Sequence, residues 1–320
     1  MLDRSSKVFI AGHRGLVGSA VLRCFKAKGF NRLVTREHAD LDLTDQMATR
    51  NFFSDQKPEV VVLAAAKVGG INANSTFPAE FIYNNLAIQS NVINEALRLD
   101  VQQLLFLGSS CIYPRDCPQP ILERYLLTGP LEPTNQPYAV AKIAGVEMCW
   151  SYNRQYGTRY LAVMPTNCYG PRDNYDLRNA HVLPALIRKI HEAKELKETS
   201  FQAWGTGSVW REFLYSDDLA EACFCLLDLP KDRQELLYEV DQPPLINVGS
   251  GLEVQVRELA TAVARVIGFD GEVVWDHTKP DGPARKLLDT TRMSNLGWQA
   301  QIGLEEGISL AYEDFLRRYA

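Results

Sequence analysis

A short stretch after an apolar run, Gly108 to Pro114 (GSSCIYP), places two hydroxyls and a thiol side by side. The run before it, QLLFL, is typical of a buried strand, so Ser109, Ser110 and Cys111 follow the point where that strand ends. A hydroxyl can hydrogen-bond a reacting oxygen, and a thiol, with an unperturbed pKa of about 8.5, can move a proton. A buried cysteine is also common as a small hydrophobic residue without chemistry. The sequence leaves both interpretations of Cys111 open.

Tyr138 and Lys142 in YAVAK are a second pair of residues that could take part in catalysis. Their spacing places both side chains on one face of a helix. A free phenol titrates at about 10. A nearby ammonium favours the phenolate and lowers the pKa of the phenol, which predicts an acid–base group usable near neutral pH. The same spacing is frequent on exposed helices. The pair gains weight because it follows Ser109 by about the length of a loop.

A glycine cluster lies near the N-terminus, where Gly12, Gly15 and Gly18 in GHRGLVG follow the first apolar run and open a helical segment. Glycine lets the backbone approach a pyrophosphate closely, and the N–H groups of the helix start can then bind it. The spacing is a variant of the dinucleotide fingerprint. A tight turn alone would also explain the glycines, but the strand before them and the helix after them favour dinucleotide binding.

The end of the second apolar run indicates which dinucleotide. An acidic residue there would hold the ribose 2′-hydroxyl of NAD. Here Arg36 stands near that place, and Arg14 lies in the glycine loop. Two guanidiniums suit a 2′-phosphate, so the sequence predicts NADPH as the cofactor. The alternative is two solvated surface arginines, one of them beside Glu37.

The elements that must position these residues are short apolar runs separated by segments of helix length. The runs are continuous rather than alternating, as in parallel strands covered on both faces. The repeated pattern predicts the α/β class, with a Rossmann-type doubly wound parallel sheet. The predicted strands are KVFIA (7–11), RLVTR (32–36), EVVVLAA (59–65), QLLFLG (103–108) and YLAVMP (160–165).

The regular alternation ends at about residue 170, where prolines and glycines mark loops. We therefore expect residues 1–170 to form an NADP-binding Rossmann domain, to which later segments such as 212–250 return. Residues 171–320 are expected to form mainly a smaller, partly interleaved C-terminal substrate-binding domain. Two later runs, INVGS (246–250) and EVVW (272–275), read as further strands.

The composition limits which partners the protein is expected to bind and in which cellular compartment it is expected to occur. A net charge of −5 over 320 residues argues against nucleic acid or an anionic membrane as the main partner. No secretory signal or membrane-length apolar run is visible. The seven cysteines are scattered and contain no CxxC pair, which indicates reduced thiols rather than disulfides or a zinc site. We expect a cytoplasmic protein without a metal.

Taken together, these residues resemble the extended short-chain dehydrogenase/reductase superfamily along essentially the whole chain. The set is most similar to its NADPH-dependent members that epimerise GDP-4-keto-6-deoxy-D-mannose at C3 and C5 and then reduce C4, giving GDP-L-fucose. One departure is Asn179-Ala180 before His181, where relatives often carry a serine. The motifs that carry the resemblance are AAAKVGGI, GSSCIYP, EPTNQPYAVAKIAG, SYNRQYG, MPTNCYGP, NAHVLPAL and REFLYSDDLA.

The resemblance implies a catalytic triad of Ser109, Tyr138 and Lys142 and an epimerisation pair of Cys111 and His181. Without it, His181 at a helix start is more often structural. The resemblance implies NADPH contacts at Gly12, His13, Arg14, Gly15, Leu16, Val17, Gly18, Arg36, Leu43, Ala65, Leu107, Lys142, Pro165, Asn167, Cys168 and His181. It implies contacts with the GDP-sugar at Lys189, Trp204, Arg211 and Asp281.

Two other functions remain open on this fold. One is another nucleotide-sugar enzyme, a UDP-sugar 4-epimerase or a 4,6-dehydratase. A dehydratase needs a carboxylic acid near the sugar, and no Asp or Glu follows Gly108 until Asp116. The other is a non-catalytic dinucleotide sensor, against which the intact triad counts. The superfamily also implies a homodimer formed by the helices around 80–99 and 138–156.

Overall fold

A computed structural model describes residues 2–279 and 281–319 of the chain. Its strands are β1 Val8–Ala11, β2 Leu33–Val34, β3 Val60–Leu63, β4 Gln103–Leu107, β5 Tyr160–Pro165, β6 Asn167–Tyr169, β7 Ser200–Trp204, β8 Trp210–Tyr215, β9 Leu245–Val248, β10 Glu253–Gln255, β11 Glu272–Asp276 and β12 Arg285–Lys286. Its helices are α1 Leu16–Ala27, α2 Gln46–Gln56, α3 Ile71–Thr76, α4 Pro78–Arg98, α5 Gln136–Tyr156, α6 Val182–Glu195, α7 Ser216–Asp228, α8 Lys231–Glu235, α9 Val256–Ile267, α10 Thr291–Asn295 and α11 Leu304–Tyr319.

The large sheet has, among the described residues, six parallel strands in the order β2-β1-β3-β4-β5-β9. Every residue of β1, β3 and β9 is buried, which explains why these strands read as continuous apolar runs. The predicted Rossmann-type parallel sheet is confirmed. The second strand is shorter than the predicted 32–36, because only Leu33 and Val34 pair with β1 at this edge.

Each face of the large sheet is covered by its own apolar layer. On one face, Val21 of α1 and Leu219 of α7 pack with the strand residue Val8. On the other face, α2, α4 and α5 contribute, with Val92 and Val146 among the buried residues. Both layers exclude water from the strands, so the polar groups at the strand ends are held by a rigid support.

The second part of the chain has its own sheets and core. Strand β8 pairs with β10 and β12 and also with β6, while β7 and β11 form a parallel pair. Ile187 of α6, Leu259 of α9 and Phe315 of α11 share one buried cluster. This part is therefore built around a core separate from the two layers of the large sheet.

The chain crosses between the two parts more than once. After β8, helix α7 packs against α1, and β9 joins the large sheet as its edge strand. Met293 of α10 also lies in a core layer of the large sheet, so the chain returns to this sheet again after β9. Strand β8, which includes residues 212–215, pairs with β10 and with β6, outside the large sheet. The division near residue 170 stays a prediction.

Several global properties bear on the class of site. Within residues 2–279 and 281–319, no helix combines the length and apolar character needed to cross a membrane. The seven cysteines, all in the described ranges, are free thiols. The carboxyl ends of β1, β4 and β5 meet at one edge of the large sheet, the edge at which open parallel sheets bind their ligands.

Candidate active site

The GSSCIYP segment forms a tight turn directly after β4. The N–H of Gly108 donates to the carbonyl of Val163 on β5 at 2.8 Å, and residues 110–112 form one turn of 3₁₀ helix. The Ser109 hydroxyl oxygen accepts from the N–H of Cys111 at 3.4 Å and lies 2.8 Å from the Cys111 sulfur. The turn therefore places the hydroxyl and the thiol in contact at the strand end, with Cys111 only 7% exposed.

The turn is anchored on its far side by Tyr113. The phenol of Tyr113 donates to the side-chain oxygen of Asn247 at 2.6 Å, and the amide nitrogen of Asn247 donates to the carbonyl of Ile121 at 2.9 Å. Tyr113 and Asn247 are both buried. A buried hydrogen-bonded network of this kind restrains the loop that carries Ser109 and Cys111.

Tyr138 and Lys142 lie one turn apart near the start of α5, where Pro137 occupies the first turn. The Lys142 ammonium donates to the carbonyl of Leu107 at 2.7 Å, and it lies 5.7 Å from the centroid of the Tyr138 ring. Lys142 is 3% exposed, and Tyr138 is half-buried. Helix α5 thus brings the phenol and the ammonium to the same strand end as Ser109.

The protonation of this group differs from the sequence-based prediction. Burial raises the pKa of Tyr138, and the charge of Cys111 raises it further, while a hydrogen bond with Ser109 opposes them. Burial also lowers the pKa of Lys142 to about 8. The prediction that Lys142 lowers the pKa of Tyr138 was wrong for this structure, because desolvation of the phenol dominates. Tyr138 is therefore a protonated phenol at neutral pH.

The glycine loop forms a cradle that a side chain would fill. Gly12 has φ +84°, and a Cβ added to it would lie 2.7 Å from the backbone nitrogen of Ala65. A Cβ on Gly18 would collide with the carbonyl of Gly12. Gly15 caps α1, whose first turn has no acidic residue, so its positive end is free for an anion. His13 Nδ1 is buried and has no partner among the described residues. The loop fits a dinucleotide pyrophosphate.

The two arginines predicted at the 2′-phosphate both have partners within the chain. The Arg14 guanidinium forms an exposed ion pair with Glu37 at 2.6 Å. Arg36 donates to the carbonyl of Thr35 and lies 5.4 Å above the ring of Phe52. Both arginines lie near the glycine loop, and a phosphate bound there would have to compete with Glu37 for Arg14.

The remaining predicted cofactor residues are spread over the ends of the strands. Leu16 and Val17 begin α1, Ala65 abuts Gly12, and the carbonyl of Leu107 accepts from Lys142. Pro165 ends β5; Asn167 donates its amide to the carbonyl of Glu212, and the Cys168 thiol to that of Thr166. Leu43 is buried, and its carbonyl accepts from the Asn91 amide at 2.9 Å.

His181 comes from the second part of the chain and precedes α6 as its N-cap. Its side chain is accessible to water, yet the protein that surrounds it desolvates the imidazole and lowers its pKa. The loop before it is held by the cofactor-binding part, since the N–H of Gly70 donates to the carbonyl of Asn179 at 3.0 Å. The residues just before His181 are therefore tied to the segment that follows β3.

The predicted substrate residues form two groups in the second part. The Lys189 ammonium lies 5.3 Å from the centroid of the Trp204 ring, which is 54% exposed. Arg211 donates to the carbonyl of Asp281 at 3.2 Å. The Asp281 carboxylate accepts from the N–H and the hydroxyl of Thr206, both at 2.8 Å. Asp281 thus fixes the loop after Trp204.

Two further lysines belong to this region and were missed in the sequence. Lys286 pairs with Arg211 in register across β12 and β8, and its ammonium interacts electrostatically with Cys111. Lys279 lies 5.4 Å from the Trp204 ring. Neither lysine stands in a motif whose spacing marks a site, and Lys286 is brought to this region by contacts between residues that are distant in the sequence.

The fold and this site define a nucleotide-sugar enzyme of the Rossmann class, and the chain belongs to the NAD dependent epimerase/dehydratase family, whose model matches residues 8–249. It is 52% identical to GDP-L-fucose synthase of Escherichia coli K12 over 97% of this chain and 96% of that protein. GDP-L-fucose synthase 1 of Arabidopsis thaliana is also 52% identical, over 99% and 95%. The structure is similar to that of a GDP-mannoheptose C4 reductase from Campylobacter jejuni with NADP bound, with a TM-score of 0.88, 37% identity and 99% and 100% coverage.

Proposed function

We propose that this chain converts GDP-4-keto-6-deoxy-D-mannose to GDP-L-fucose with NADPH, epimerising C3 and C5 and then reducing the C4 ketone. The observation that carries the proposal is the contact of 2.8 Å between Ser109 and Cys111 beside Tyr138. A ketone reductase needs the hydroxyl and the phenol but has no use for a thiol there. The 52% identity to two GDP-L-fucose synthases supports the same substrate.

For the reduction, NADPH supplies a hydride to C4 of the sugar. Tyr138 gives its proton to the C4 oxygen, and the Ser109 hydroxyl donates a hydrogen bond to the same oxygen. The raised pKa of Tyr138 suits this direction of transfer, because the phenol carries its proton at neutral pH. The Lys142 ammonium then stabilises the phenolate that remains.

For the epimerisation, the C4 ketone acidifies the C–H bonds at both C3 and C5, since either carbanion is an enolate. The Cys111 thiolate takes the proton from one face, and His181 gives a proton to the opposite face. Burial lowers the pKa values of Lys142 and Lys286, and the charge of Cys111 opposes that shift. Before the second centre reacts, Cys111 must lose the proton it took and His181 must regain one, and His181 is accessible to water for that exchange.

For binding, the exposed Trp204 ring stacks on the guanine base between Lys189 and Lys279. Arg211 and Lys286 are paired across β8 and β12, where their two positive charges bind the diphosphate. Burial lowers the pKa of Arg211, and a bound diphosphate relieves this penalty. On the cofactor side, the glycine cradle and Arg14 with Arg36 hold NADPH.

The proposed function is tested with pure protein, NADPH and a matched pair of ketones, GDP-4-keto-6-deoxy-mannose and its UDP analogue. We expect NADPH oxidation with the GDP compound, and NMR of the product should show inverted C3 and C5. Oxidation that yields the C4-reduced sugar without inversion would make the protein a simple reductase and contradict the proposal. Turnover of the UDP compound alone would assign another nucleotide sugar.

The quaternary structure we propose is a homodimer in the cytoplasm. Helices α4 and α5 pack together and leave an outward face with exposed Tyr83 and Val140. An apolar groove continues this face, lined by Pro78, Ala79, Ile82, Pro133, Gln136, Pro137 and Val140. A second copy of the chain would cover it. Sedimentation velocity should give a dimer that Tyr83→Glu dissociates, and a monomeric native protein would contradict this.

A further inference from the structure

The segment 67–72, which contains the motif KVGGI, follows β3, enters α3 and is bonded to the loop before His181. We infer that Gly70, through its missing side chain, is the positioning residue that sets His181 for epimerisation. The inference rests on the proposed function, because it concerns how one group of that reaction is placed. The segment is fixed to the cofactor-binding part, contacts the loop before His181, and has room only for glycine at residue 70.

Two buried amides fix the segment to the cofactor-binding part. Asn85 is 2% exposed; its oxygen accepts from the N–H of Lys67 at 3.1 Å, and its nitrogen donates to the carbonyl of Lys67 at 3.0 Å. Asn74 is 5% exposed and donates to the carbonyls of Gly69 at 2.8 Å and Gly70 at 3.1 Å. The backbone of the segment is thus held from both ends by groups that water does not reach.

The outer side of the segment contacts the loop that ends at His181. The N–H of Gly70 donates to the carbonyl of Asn179 at 3.0 Å, and the Asn72 side chain donates to the carbonyl of Arg178 at 3.4 Å. These bonds join a fixed segment to the two residues immediately before Ala180 and His181. The position of His181 is therefore set by the cofactor-binding part, although its own helix belongs to the other part.

A side chain at residue 70 would break this fit. A Cβ on Gly70 would lie 2.9 Å from the carbonyl oxygen of Ala180, closer than real Cβ atoms approach a backbone atom. Gly70 has φ −67°, which any residue adopts without strain. An alanine here therefore has one local consequence, which is to push away the peptide between Ala180 and His181.

The same segment also lies close to Phe81, a neighbour of Tyr138. A Cβ on Gly69 would lie 3.2 Å from the ring of Phe81, and that ring meets the Tyr138 ring edge-to-face at 6.2 Å between centroids. The segment thus spans from the support of Tyr138 to the support of His181. Moving its outer contact shifts His181 relative to a phenol that stays in place.

The experiment compares two half-reactions of Gly70→Ala. The rate at which solvent deuterium enters C3 and C5 of the GDP-4-keto sugar, without NADPH, measures proton transfer by Cys111 and His181. Oxidation of GDP-L-fucose by NADP⁺ reports Ser109, Tyr138 and Lys142. We expect wash-in to fall by about 10- to 100-fold, because a displacement of about 1 Å has that effect on a catalytic contact. Oxidation of GDP-L-fucose should stay within about twofold of the native rate.

The matched control is Gly303→Ala, since no atom lies within 4 Å of a Cβ added at Gly303. It should leave both rates unchanged. Equal loss of both rates in Gly70→Ala, or loss of neither, would overturn the inference. If Gly70→Ala does not fold, the variant to measure is Asn72→Ala, which removes only the bond to Arg178. A selective loss of deuterium wash-in in this variant supports the inference. Two unchanged rates contradict it.

A native protein that neither exchanges deuterium nor oxidises GDP-L-fucose would instead contradict the proposed function. Failure of the inference and failure of the proposed function are therefore distinguished in one set of assays.

Discussion

The two walls of the cleft are built in different ways. Ser109, Tyr138 and Lys142 all lie on the large sheet and the helix that covers it, and Lys142 is tied directly to the end of β4. His181 precedes α6 of the second part, and the loop before it is tied to Gly70 and Asn72 through the carbonyls of Asn179 and Arg178. The proposed reduction site is built into the core of one fold unit, whereas the proposed epimerisation pair is assembled across two.

The difference has a physical consequence for tolerance to change. Groups that a buried layer supports move only if that layer unfolds, so the reduction site shares the stability of the core. A pair assembled across a contact of a few hydrogen bonds is lost at a smaller free-energy cost. We therefore expect that substitutions which lower epimerisation without lowering reduction will be found mainly in the residues around His181.

The largest expected effect is the loss of proton exchange in Cys111→Ala. Removing the thiol takes away the proposed base, and loss of a positioned acid–base group lowers a rate by about 10²- to 10⁴-fold. Deuterium wash-in at C3 and C5, followed by NMR, measures the effect. The control is Cys117→Ala, which removes a half-buried thiol from the same loop region. Normal exchange in Cys111→Ala would make this residue an inert packed thiol.

A smaller effect is expected for the cofactor preference. Arg14→Ala and Arg36→Ala should each lower the preference for NADPH over NADH by about tenfold, since a charge-assisted hydrogen bond contributes about 1.5–3 kcal/mol and Arg14 must first release Glu37. NADH affinity should change little. Arg32→Ala, an exposed arginine paired with Glu59, is the control. An unchanged preference in both variants would place the 2′-phosphate elsewhere.

The smallest effect concerns pH. Lys142 has a pKa lowered to about 8 by burial, so its ammonium loses its proton as the pH rises through that value. The kcat/KM of C4 reduction should then fall, by up to about tenfold between pH 7 and pH 9, because the phenolate of Tyr138 loses its support. In Lys142→Arg the side chain stays charged over this pH range, so the fall in kcat/KM should disappear. If kcat/KM still falls in the same way in Lys142→Arg, the fall is caused by the titration of another group.

Much of the large sheet could be predicted from the sequence, because strands buried on both faces must be apolar throughout, as in VFIA and VVVL. The glycine loop could be predicted for a similar reason, since Gly12 and Gly18 leave no space for a Cβ. Both requirements can be recognised from a short segment of the sequence.

Contacts between distant residues could not be read in this way. The bond between Gly70 and Asn179 and the pairing of Lys286 with Arg211 depend on how the second part is placed on the first. The pKa of Tyr138 was predicted in the wrong direction for the same reason: spacing shows that Lys142 is near, but only the packed structure shows how much water the phenol loses.

The most direct test of the account measures Tyr138→Phe in both half-reactions. If one cleft holds two separable proton-transfer groups, this variant should lose NADPH oxidation by about 10²- to 10⁴-fold while it still exchanges deuterium at C3 and C5 at the native rate. Loss of the exchange together with the oxidation would contradict the account, because Tyr138 would then serve both steps and the pair of Cys111 and His181 would have no separate role.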